Sequence, residues 1–523
     1  MPIPSAPRPP PRFAARCLLW LAAGLCLPAT LAAQAAATPS LADIRWLRRA
    51  SFGLDAATLA RYRQLGRRGW LDEQLADRND SLPPAVRALI ESYPAVSTPP
   101  ADLLAAAIAA RRRLRAMPAG DARIAARKAL QKQGRELARQ AQQAELLHAI
   151  YGSNPLKEQM VWFWLNHFSV YAAKGGVRLV AADYEEHVIR PHALGKFRDL
   201  LLATLQSPAM LQYLDNARNV RGKTNENYAR ELMELHTLGV GAGYTQQDVQ
   251  QLALILTGAG FAPNAGRWHG RFARMRPGFV RDGLFVFNPD KHDFSDKILL
   301  GQRIRGSGYA EIRQALTLIT RQPACARFIS RQLAEYFVAD RPPPALVAAM
   351  ADTFQRSDGD IAAVLRTMFD SPALLASAGR KFKDPTQFLV SAMRLAYGGE
   401  PISNAAPLVN WLNQMGEPVF GRITPDGWPL DAASWSGSGQ LAARFAVARA
   451  IGSGRNRLFT AAADDAGSRA PMPPGAVPEL DSPLYRASIG PYLSTATRAA
   501  LGKATTAQEW NTYLLSSPDF NYR

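Results

Sequence analysis

Carboxylate and amide side chains recur at helical spacing in residues 225–239, which read NENYARELMELHTLG. On an α-helix, residues at i, i+4 and i+7 share a face, so Asn227, Glu231 and Glu234 are expected on one side. Two carboxylates one turn apart can bind a divalent cation, or serve as general acid and base where burial raises the pKa of one of them. The same face also suits a salt-bridged seam between helices, and the sequence leaves both interpretations open.

A histidine that would complete such a site ends the most hydrophobic helix predicted, residues 158–168, which read EQMVWFWLNHF. We therefore take Glu231, Glu234 and His167 as candidate catalytic residues and as candidate ligands for a divalent metal cofactor. The alternative is a structural histidine that bonds a buried carbonyl or caps the last turn. His236 lies about 200° around the helix from Glu234, so those two cannot bind one ion while the helix is regular.

Other polar residues in neighbouring motifs are candidates for substrate binding. The turn around His292 and Asp293 offers an imidazole beside a carboxylate, and Trp428 lies in a glycine-bearing loop where an indole can stack on a sugar ring. An ordinary polar turn and a packing aromatic are the respective alternatives. The candidate substrate-binding residues are Asn166, Asn225, Asn227, His236, Asp248, His292, Asp293 and Trp428.

Two further histidines, His187 and His192, occur in the stretch YEEHVIRPH. Pro191 ends or kinks that helix, so chelation of zinc by this pair alone is not expected. The sequence contains no GxSxG elbow, HExxH pair, P-loop, haem-attachment CxxCH or GxGxxG after a strand. These absences exclude several enzyme classes and leave open whether the protein is an enzyme.

Helical spacing of apolar residues dominates the chain and predicts a mainly α fold, a multi-helix array or bundle. Residues 101–150 predict a long helical hairpin that is broken near residues 118–120. One small β-hairpin is predicted near residues 283–304, from strands at 284–287 and 298–304.

Three Ser-Pro pairs punctuate the helices, at residues 207–208, 371–372 and 517–518. Serine is a preferred N-cap and proline is favoured at the first helical position. Each pair therefore predicts the start of a helix.

The chain divides into four predicted segments. These are a signal peptide (1–37), an N-terminal helical lobe (38–261) carrying FWLNHF and NENYARELMELHTLG, a loop and β-hairpin insertion (262–306), and a C-terminal helical lobe (307–523). Within the last lobe, residues 462–482 are rich in Ala, Pro, Gly and Asp and are predicted to form a mobile loop.

The amino-terminal segment predicts export. Arg8, Arg12 and Arg16 form a basic start, residues 17–31 are an apolar run, and small residues surround Ala35 as a cleavage site. The run is too short and interrupted to favour a membrane span. We expect a periplasmic or secreted protein, cut near Ala35, with no transmembrane anchor after cleavage.

The composition of the mature chain points to an anionic neighbour. The formal net charge is +19, and removing the three arginines of the acid-free segment 1–37 leaves +16. A lipid headgroup or an acidic polysaccharide suits that charge, nucleic acid is not expected after export, and compositional bias is the alternative. Arg111, Arg112, Arg113 and Arg115 are either an anion-binding patch or a solvated helix face. Cys325 stands alone after cleavage and is predicted to be a buried apolar residue.

Several motifs in order resemble the bacterial family known as domain of unknown function 1800. They are LRRASFG with WLDEQL, FWLNHF, RPHALGKFRDLL, SPAMLQYLDN, NENYARELMELHTLGV, GYTQQDV, HDFSDKILLG and GWPLD, and they cover the chain from Leu41 to Arg523. The resemblance brings no established activity. It implies an exported protein, often encoded beside a sulfatase-like family known as domain of unknown function 1501, with links to extracellular polysaccharide.

Two hypotheses follow. The first is an accessory or binding protein that acts with a sulfatase-like partner on envelope or extracellular acidic polysaccharide. The alternative is a metal-assisted hydrolase or oxidoreductase built on Glu231, Glu234 and His167. The enzyme requires these side chains around a cleft, whereas an architectural seam requires them to be paired and dry.

Overall fold

The computed structural model describes residues 39–77, 80–262, 277–454, 456–460 and 477–523. The predicted signal peptide lies outside the described residues, and so does the predicted mobile loop except for residues 477–482. Residues 39–523 belong to one compact unit, and both predicted lobes fall within it.

The first helices form a scaffold around a long antiparallel pair. Helix α1 starts at a capping box in which Ser40 and Asp43 satisfy each other's backbone groups, and it buries Trp46 and Leu47. The predicted helical hairpin is confirmed as α5 and α6, with the break at residues 117–120. The bounds are α1 (Leu41–Ala50), α2 (Ala56–Leu75), α3 (Pro84–Glu91), α4 (Pro94–Ser97), α5 (Pro100–Ala116) and α6 (Asp121–Tyr151).

Helix α7 (Pro155–His167) is the centre of the core, since every residue from Pro155 to Leu165 is buried. Two segments with the wider π-helical turn lie after it, and such turns are rare and concentrate at functional sites. They are π1 (Tyr184–Ile189), which continues α8 (Ala181–Asp183), and π2 (Leu232–Thr237), which continues α11 (Asn227–Glu231). The neighbouring helices are α9 (Phe197–Gln206), α10 (Pro208–Tyr213) and α12 (Gln246–Ile255).

The predicted β element is present, but its strands have different partners from those expected. Strand β3 (Phe285–Phe287) is the middle of a three-stranded antiparallel sheet with β1 (Ala259–Phe261) and β2 (Val280–Asp282). Strands β4 (Lys297–Leu299) and β5 (Gln302–Ile304) pair with each other. The predicted strand 298–304 turns back on itself at Leu300 and Gly301, which both have positive φ, and so cannot pair along its length with β3.

The chain from Tyr309 onward is helical among the described residues. Ser207, Ser371 and Ser517 each cap a helix that begins with proline, which confirms the Ser-Pro predictions. The helices are α13 (Tyr309–Thr320), α14 (Pro323–Phe337), α15 (Pro344–Arg356), α16 (Ile361–Phe369), α17 (Pro372–Ala376), α18 (Pro385–Tyr397), α19 (Ala406–Gln414), α20 (Ser438–Gly452), α21 (Pro483–Ser488), α22 (Thr495–Leu501), α23 (Ala507–Ser516) and α24 (Pro518–Asn521).

Two observations bear on the chemistry that the fold permits. Cys325 is fully buried in α14, as predicted, and burial raises the pKa of its thiol far above the usual range. Within the described parts of the chain, no helix has the length and apolar character that crossing a bilayer requires.

Candidate functional site

The amide of Asn166 fixes a loop of the C-terminal half. Its Nδ2 donates to the carbonyl oxygen of Trp428 at 2.9 Å, and its Oδ1 accepts from the amide of Trp428 at 2.6 Å. Arg422 lies over the indole of Trp428, with 5.4 Å from its guanidinium carbon to the ring centroid. Asn166 is thus fully engaged with the backbone, and the Trp428 ring is half-buried beneath an arginine.

His167 and His236 meet in an aromatic pocket. The Nε2 of His167 lies 3.0 Å from the carbonyl oxygen of His236, and the two ring centroids are 6.1 Å apart. Phe168 packs within 5.1 Å of the His236 ring, and Phe163 stacks on His167. We name His167, His236, Phe163 and Phe168 the histidine pocket.

Burial keeps both imidazoles of the histidine pocket neutral. It lowers the pKa of His167 to about 4, against a weaker opposing effect of the hydrogen bond to the His236 carbonyl. It lowers the pKa of His236 well below its usual range, and the neighbouring His167 adds to that effect. Neither ring nitrogen of His236 has a hydrogen-bond partner among the described residues.

Glu231 and Glu234 lie at the junction of α11 and π2, and both are half-buried. Burial and then the charge of Glu234 raise the pKa of Glu231. Glu226 and Arg230 form an ion pair at 3.2 Å on the surface of α11. Glu231 and Glu234 are therefore near each other, as their spacing predicts.

The candidate catalytic set as a whole is not assembled. Among the described residues, the ligand atoms of His167, Glu231 and Glu234 do not all come within 4.8 Å of one another. His167 instead points at the backbone of His236, as the alternative interpretation expected. Convergence of these three side chains on one ion would require a different arrangement of α7 and π2.

The remaining predicted site residues make local or structural contacts. Asn225 accepts from the amide of Asn227, whose own Nδ2 donates to the carbonyl of Leu214 at 3.2 Å. Asp248 forms a capping box with Thr245 at the start of α12 and accepts from the Leu300 amide at 2.7 Å. These groups hold the backbone around π2 and β4.

His292 and Asp293 belong to an ionic group with Glu311 and with Lys297, the first residue of β4. The Nε2 of His292 lies 2.9 Å from Glu311, which also accepts from Lys297 at 2.7 Å. The other nitrogen of His292 lies 2.8 Å from the carbonyl oxygen of Thr257. Asp293 accepts from the backbone amide of Ser295 at 2.9 Å. Each of these groups has a protein partner.

A different cluster, which the sequence analysis did not find, gathers more charge in the interior. Glu145 and His148 come from the last turns of α6, Glu158 from the first turn of α7, and Glu185 and Glu186 from π1. Arg190 follows directly after π1. We name these six residues the carboxylate centre: Glu145, His148, Glu158, Glu185, Glu186 and Arg190.

The carboxylate centre is held together by short polar contacts. Arg190 donates to Glu158 at 2.7 Å and to Glu185 at 2.6 Å. The Nε2 of His148 lies 2.6 Å from Glu186. One ligand atom each of His148, Glu185 and Glu186 lies within 4.8 Å of the other two, and no other group of three or more metal-ligating side chains among the described residues meets this criterion.

Burial makes the negative charge of this cluster costly in free energy. Glu145, Glu158 and Glu185 are at most 1% exposed and Glu186 is half-buried, and the one guanidinium of Arg190 pairs with Glu158, Glu185 and Glu186. The Oε2 atoms of Glu145 and Glu185 and the Nδ1 of His148 have no hydrogen-bond partner among the described residues. Buried carboxylates without partners are costly unless a proton or a cation neutralises them.

The pKa values of the glutamates diverge within the cluster. Burial raises the pKa of Glu145 well above its usual range and that of Glu185 to about 8, in both cases against the attraction of Arg190. The pKa of Glu186 falls to about 2, because hydrogen bonding and charge from His148 outweigh its partial burial. A set of carboxylates with such different proton affinities is typical of functional sites and of buried ionic networks alike.

Local geometry explains how these residues meet. Glu145 and His148 are three residues apart and so share one face of α6. Helix α6 ends at Gly152, where an added Cβ would lie 2.9 Å from the Oε1 of Glu158, so the close approach of α7 depends on glycine. In π1, the wider turn directs Glu185 into the core, while His187 stays 73% exposed beside Asp183.

Two patterns in the sequence indicate this cluster. Glu145-x-x-His148 is the i, i+3 spacing that helix bundles use for carboxylate-bound metals, and Glu185-Glu186 follows in a second helical segment. The two histidines of YEEHVIRPH lie outside the cluster: His187 is exposed, and His192 contacts the Val188 carbonyl at 2.9 Å. The acidic residues of that stretch, rather than its histidines, face the core.

Comparison with known proteins agrees with the motifs. The family model described as "Protein of unknown function (DUF1800)" matches residues 45–522. The chain therefore belongs to the DUF1800 family over almost its whole length. Neither the search of curated proteins nor that of solved structures gave a match.

Proposed function

We propose that this protein is a metalloprotein whose carboxylate centre binds a divalent transition-metal ion. His148, Glu185 and Glu186 supply three ligands, and Glu145 and Glu158 lie near enough for their charges to act on the set. The observation that carries the proposal is that one ligand atom each of His148, Glu185 and Glu186 lies within 4.8 Å of the other two, with His148 and Glu185 buried. It moves the metal site predicted from the sequence to a different set of glutamates and a different histidine.

The charge of the centre is compatible with a bound cation. Three buried carboxylates and the half-buried Glu186 outnumber the single guanidinium of Arg190, and one oxygen each of Glu145 and Glu185 has no hydrogen-bond partner among the described residues. Imidazole with carboxylate is a ligand combination suited to Zn²⁺, Mn²⁺ or Fe²⁺. The rival is neutralisation by protons on Glu145 and Glu185, the two groups whose pKa burial raises.

The burial of the centre favours a metal that holds the fold together. Closed coordination is typical of structural sites, whereas a catalytic ion keeps an open position. The three ligands come from α6 and π1, so an ion there ties together two segments that are separated along the chain. Arg190 adds a fixed positive charge at the same point.

We also propose that the protein acts outside the cytoplasm, as an accessory or binding protein beside a sulfatase-like partner on acidic polysaccharide. This is supported by the basic and apolar residues of segment 1–37 and by the charge of +16 that remains without it. Amino-terminal sequencing of protein recovered from the periplasm or medium tests the export. A mature terminus near residue 36 supports it, and an intact Met1 in the cytoplasm contradicts it.

Elemental analysis of protein purified without chelators tests the metal proposal. We expect a stoichiometric transition metal in the native protein and its loss in the isosteric variant Glu185→Gln/Glu186→Gln. The matched control is Glu231→Gln/Glu234→Gln, which removes the same number of carboxylates from the set that the sequence predicted. Circular dichroism confirms that both variants are folded.

The outcomes separate the competing assignments. Metal retained in the control and lost from the first variant supports the carboxylate centre. Loss from the control alone would return the site to Glu231 and Glu234. Native protein that takes up no Zn²⁺, Mn²⁺ or Fe²⁺ even after reconstitution overturns the proposal and leaves a protonated network.

A further inference from the structure

A groove along the α5–α6 hairpin combines arginines with apolar walls. Its volume is about 470 Å³, which is in the range of small-ligand sites. We name it the arginine groove after the four arginines that line it: Arg111, Arg113, Arg127 and Arg178. Its other walls are mainly leucine and alanine, including Leu103, Leu114, Leu130 and Leu137.

The four arginines lack acidic partners. None of them forms an ion pair with a described carboxylate, although arginines such as Arg61 and Arg366 elsewhere on the surface do. The Nη2 of Arg178 donates to the Ala173 carbonyl at 3.0 Å, while its Nε has no partner among the described residues. Guanidinium groups without an acidic partner can bind a phosphate or carboxylate, whose geometry they match.

Gly134 allows Arg178 to enter the groove. An added Cβ at Gly134 would lie 2.5 Å from the Cδ of Arg178, closer than real side-chain carbons approach. The arginine stem therefore crosses α6 at the one point where the helix has no side chain. This close crossing places the charge of Arg178, which belongs to neither α5 nor α6, in the same groove as Arg111 and Arg127.

The hairpin around the groove has the character of a lipid-binding surface. Residues 100–139 contain ten Lys or Arg and three Asp or Glu. Ile108 on α5 and Ile124 on α6 are 39% and 44% exposed, and they are among the few large apolar side chains that the described residues present to solvent. Basic residues interleaved with exposed apolar ones bind anionic interfaces through both attraction and insertion.

We propose that the α5–α6 hairpin docks on an anionic phospholipid membrane, with a lipid phosphate held by the arginine groove and the adjoining acyl chain against its leucine walls. An acidic polysaccharide shares the negative charge but offers hydroxyl groups, which gain nothing from leucine and alanine walls. The carboxylate centre takes no part in this contact, so the inference is independent of the metal proposal.

Co-sedimentation with vesicles tests the inference. We expect the protein to bind vesicles of phosphatidylcholine mixed with phosphatidylglycerol, to ignore phosphatidylcholine alone, and to dissociate as salt rises. The variant Arg111→Glu/Arg127→Glu should bind the anionic vesicles more than about tenfold less tightly. Leu114→Gln, which changes the apolar wall and no charge, should weaken binding by a smaller factor.

The matched control changes the same net charge elsewhere. Arg63 and Arg68 are exposed on α2 and do not line the groove, so Arg63→Glu/Arg68→Glu should retain most of the binding. Equal loss in both double variants would show a general charge effect and overturn the assignment. So would binding to alginate, an acidic polysaccharide, without binding to anionic vesicles.

Discussion

The two π-helical segments carry the same Glu-x-His spacing and use it in opposite ways. In π1, Glu185 is fully buried and His187 is 73% exposed. In π2, His236 is fully buried and Glu234 is half-buried at the surface. Residues two apart lie about 200° around a helix, so only one of the acid and the imidazole can face the core in each segment.

The surroundings of the two segments match what each one buries. Glu185 meets the guanidinium of Arg190, which offers it a charged hydrogen-bond partner. His236 meets Phe168 and His167, so its neutral form is favoured. Both segments contain Glu-x-His, so that spacing alone does not decide between an ionic centre and a neutral pocket, and the packing neighbours do.

The largest effect is expected at Arg190. The substitution Arg190→Met removes the partner of Glu158 and Glu185 and leaves buried charge uncompensated, at a cost of about 3–5 kcal/mol in the free energy of unfolding. Urea unfolding measures it. Arg230→Met beside π2, where the pair with Glu226 is half-exposed, should cost about 0–1 kcal/mol. Similar losses for both would remove the contrast between the two regions.

Metal removal should affect only the π1 region. An ion that binds the native state at one hundred times its Kd adds about 2.7 kcal/mol to stability, which EDTA should abolish. Thermal unfolding with and without EDTA measures this difference in the native protein. In Glu185→Gln/Glu186→Gln we expect no response to EDTA, and a full response there would place the ion elsewhere.

The π2 region should respond to pH through its buried histidines. His167 has a folded-state pKa of about 4, below the 6.5 of an unperturbed histidine, and the pKa of His236 is also lowered. The unfolded chain therefore takes up protons first, so stability is fully present above about pH 6.5 and falls as the pH drops toward 4, by at most about 1.4 kcal/mol per pH unit for each histidine.

Unfolding by urea across this pH range, in native protein and in His167→Phe, tests the assignment. The variant should show a shallower loss of stability between pH 6.5 and 4. An unchanged slope would assign the acid sensitivity to other groups.

The smallest effect is a gain in stability. Because neither ring nitrogen of His236 has a partner among the described residues, His236→Leu should remove an unsatisfied polar group and stabilise the protein by about 1 kcal/mol. Chemical denaturation measures this gain. A marked loss of stability would show that the ring makes a polar contact, and π2 would then resemble π1 as a polar site.

Local signals were enough to predict most of the fold. The Ser-Pro pairs, the break in the α5–α6 hairpin and the apolar run of α7 each depend on neighbours within a few residues, and each appears where it was predicted. The pairing of the short strands differed from expectation, because β3 found partners at residues 259–261 and 280–282 rather than in the following strand.

The candidate site could be predicted only in part. The sequence placed Glu231 and Glu234 near each other, because they lie one turn apart on one helix. It could not show that His167 turns to the His236 carbonyl, since that contact joins residues 69 apart. For the same reason the meeting of Glu145, Glu158 and Glu185 was not foreseen.

By itself, the sequence determined the family, the helical class, the helix starts and the basic character of the α5–α6 hairpin. These follow from spacing, capping and composition, which act over short distances along the chain. Only the tertiary structure decided which face of π1 and of π2 is buried, and hence which glutamates and histidines share a site. That choice depends on packing of π1 against α6 and α7, and of π2 against α14 and the end of α7, which no local pattern encodes.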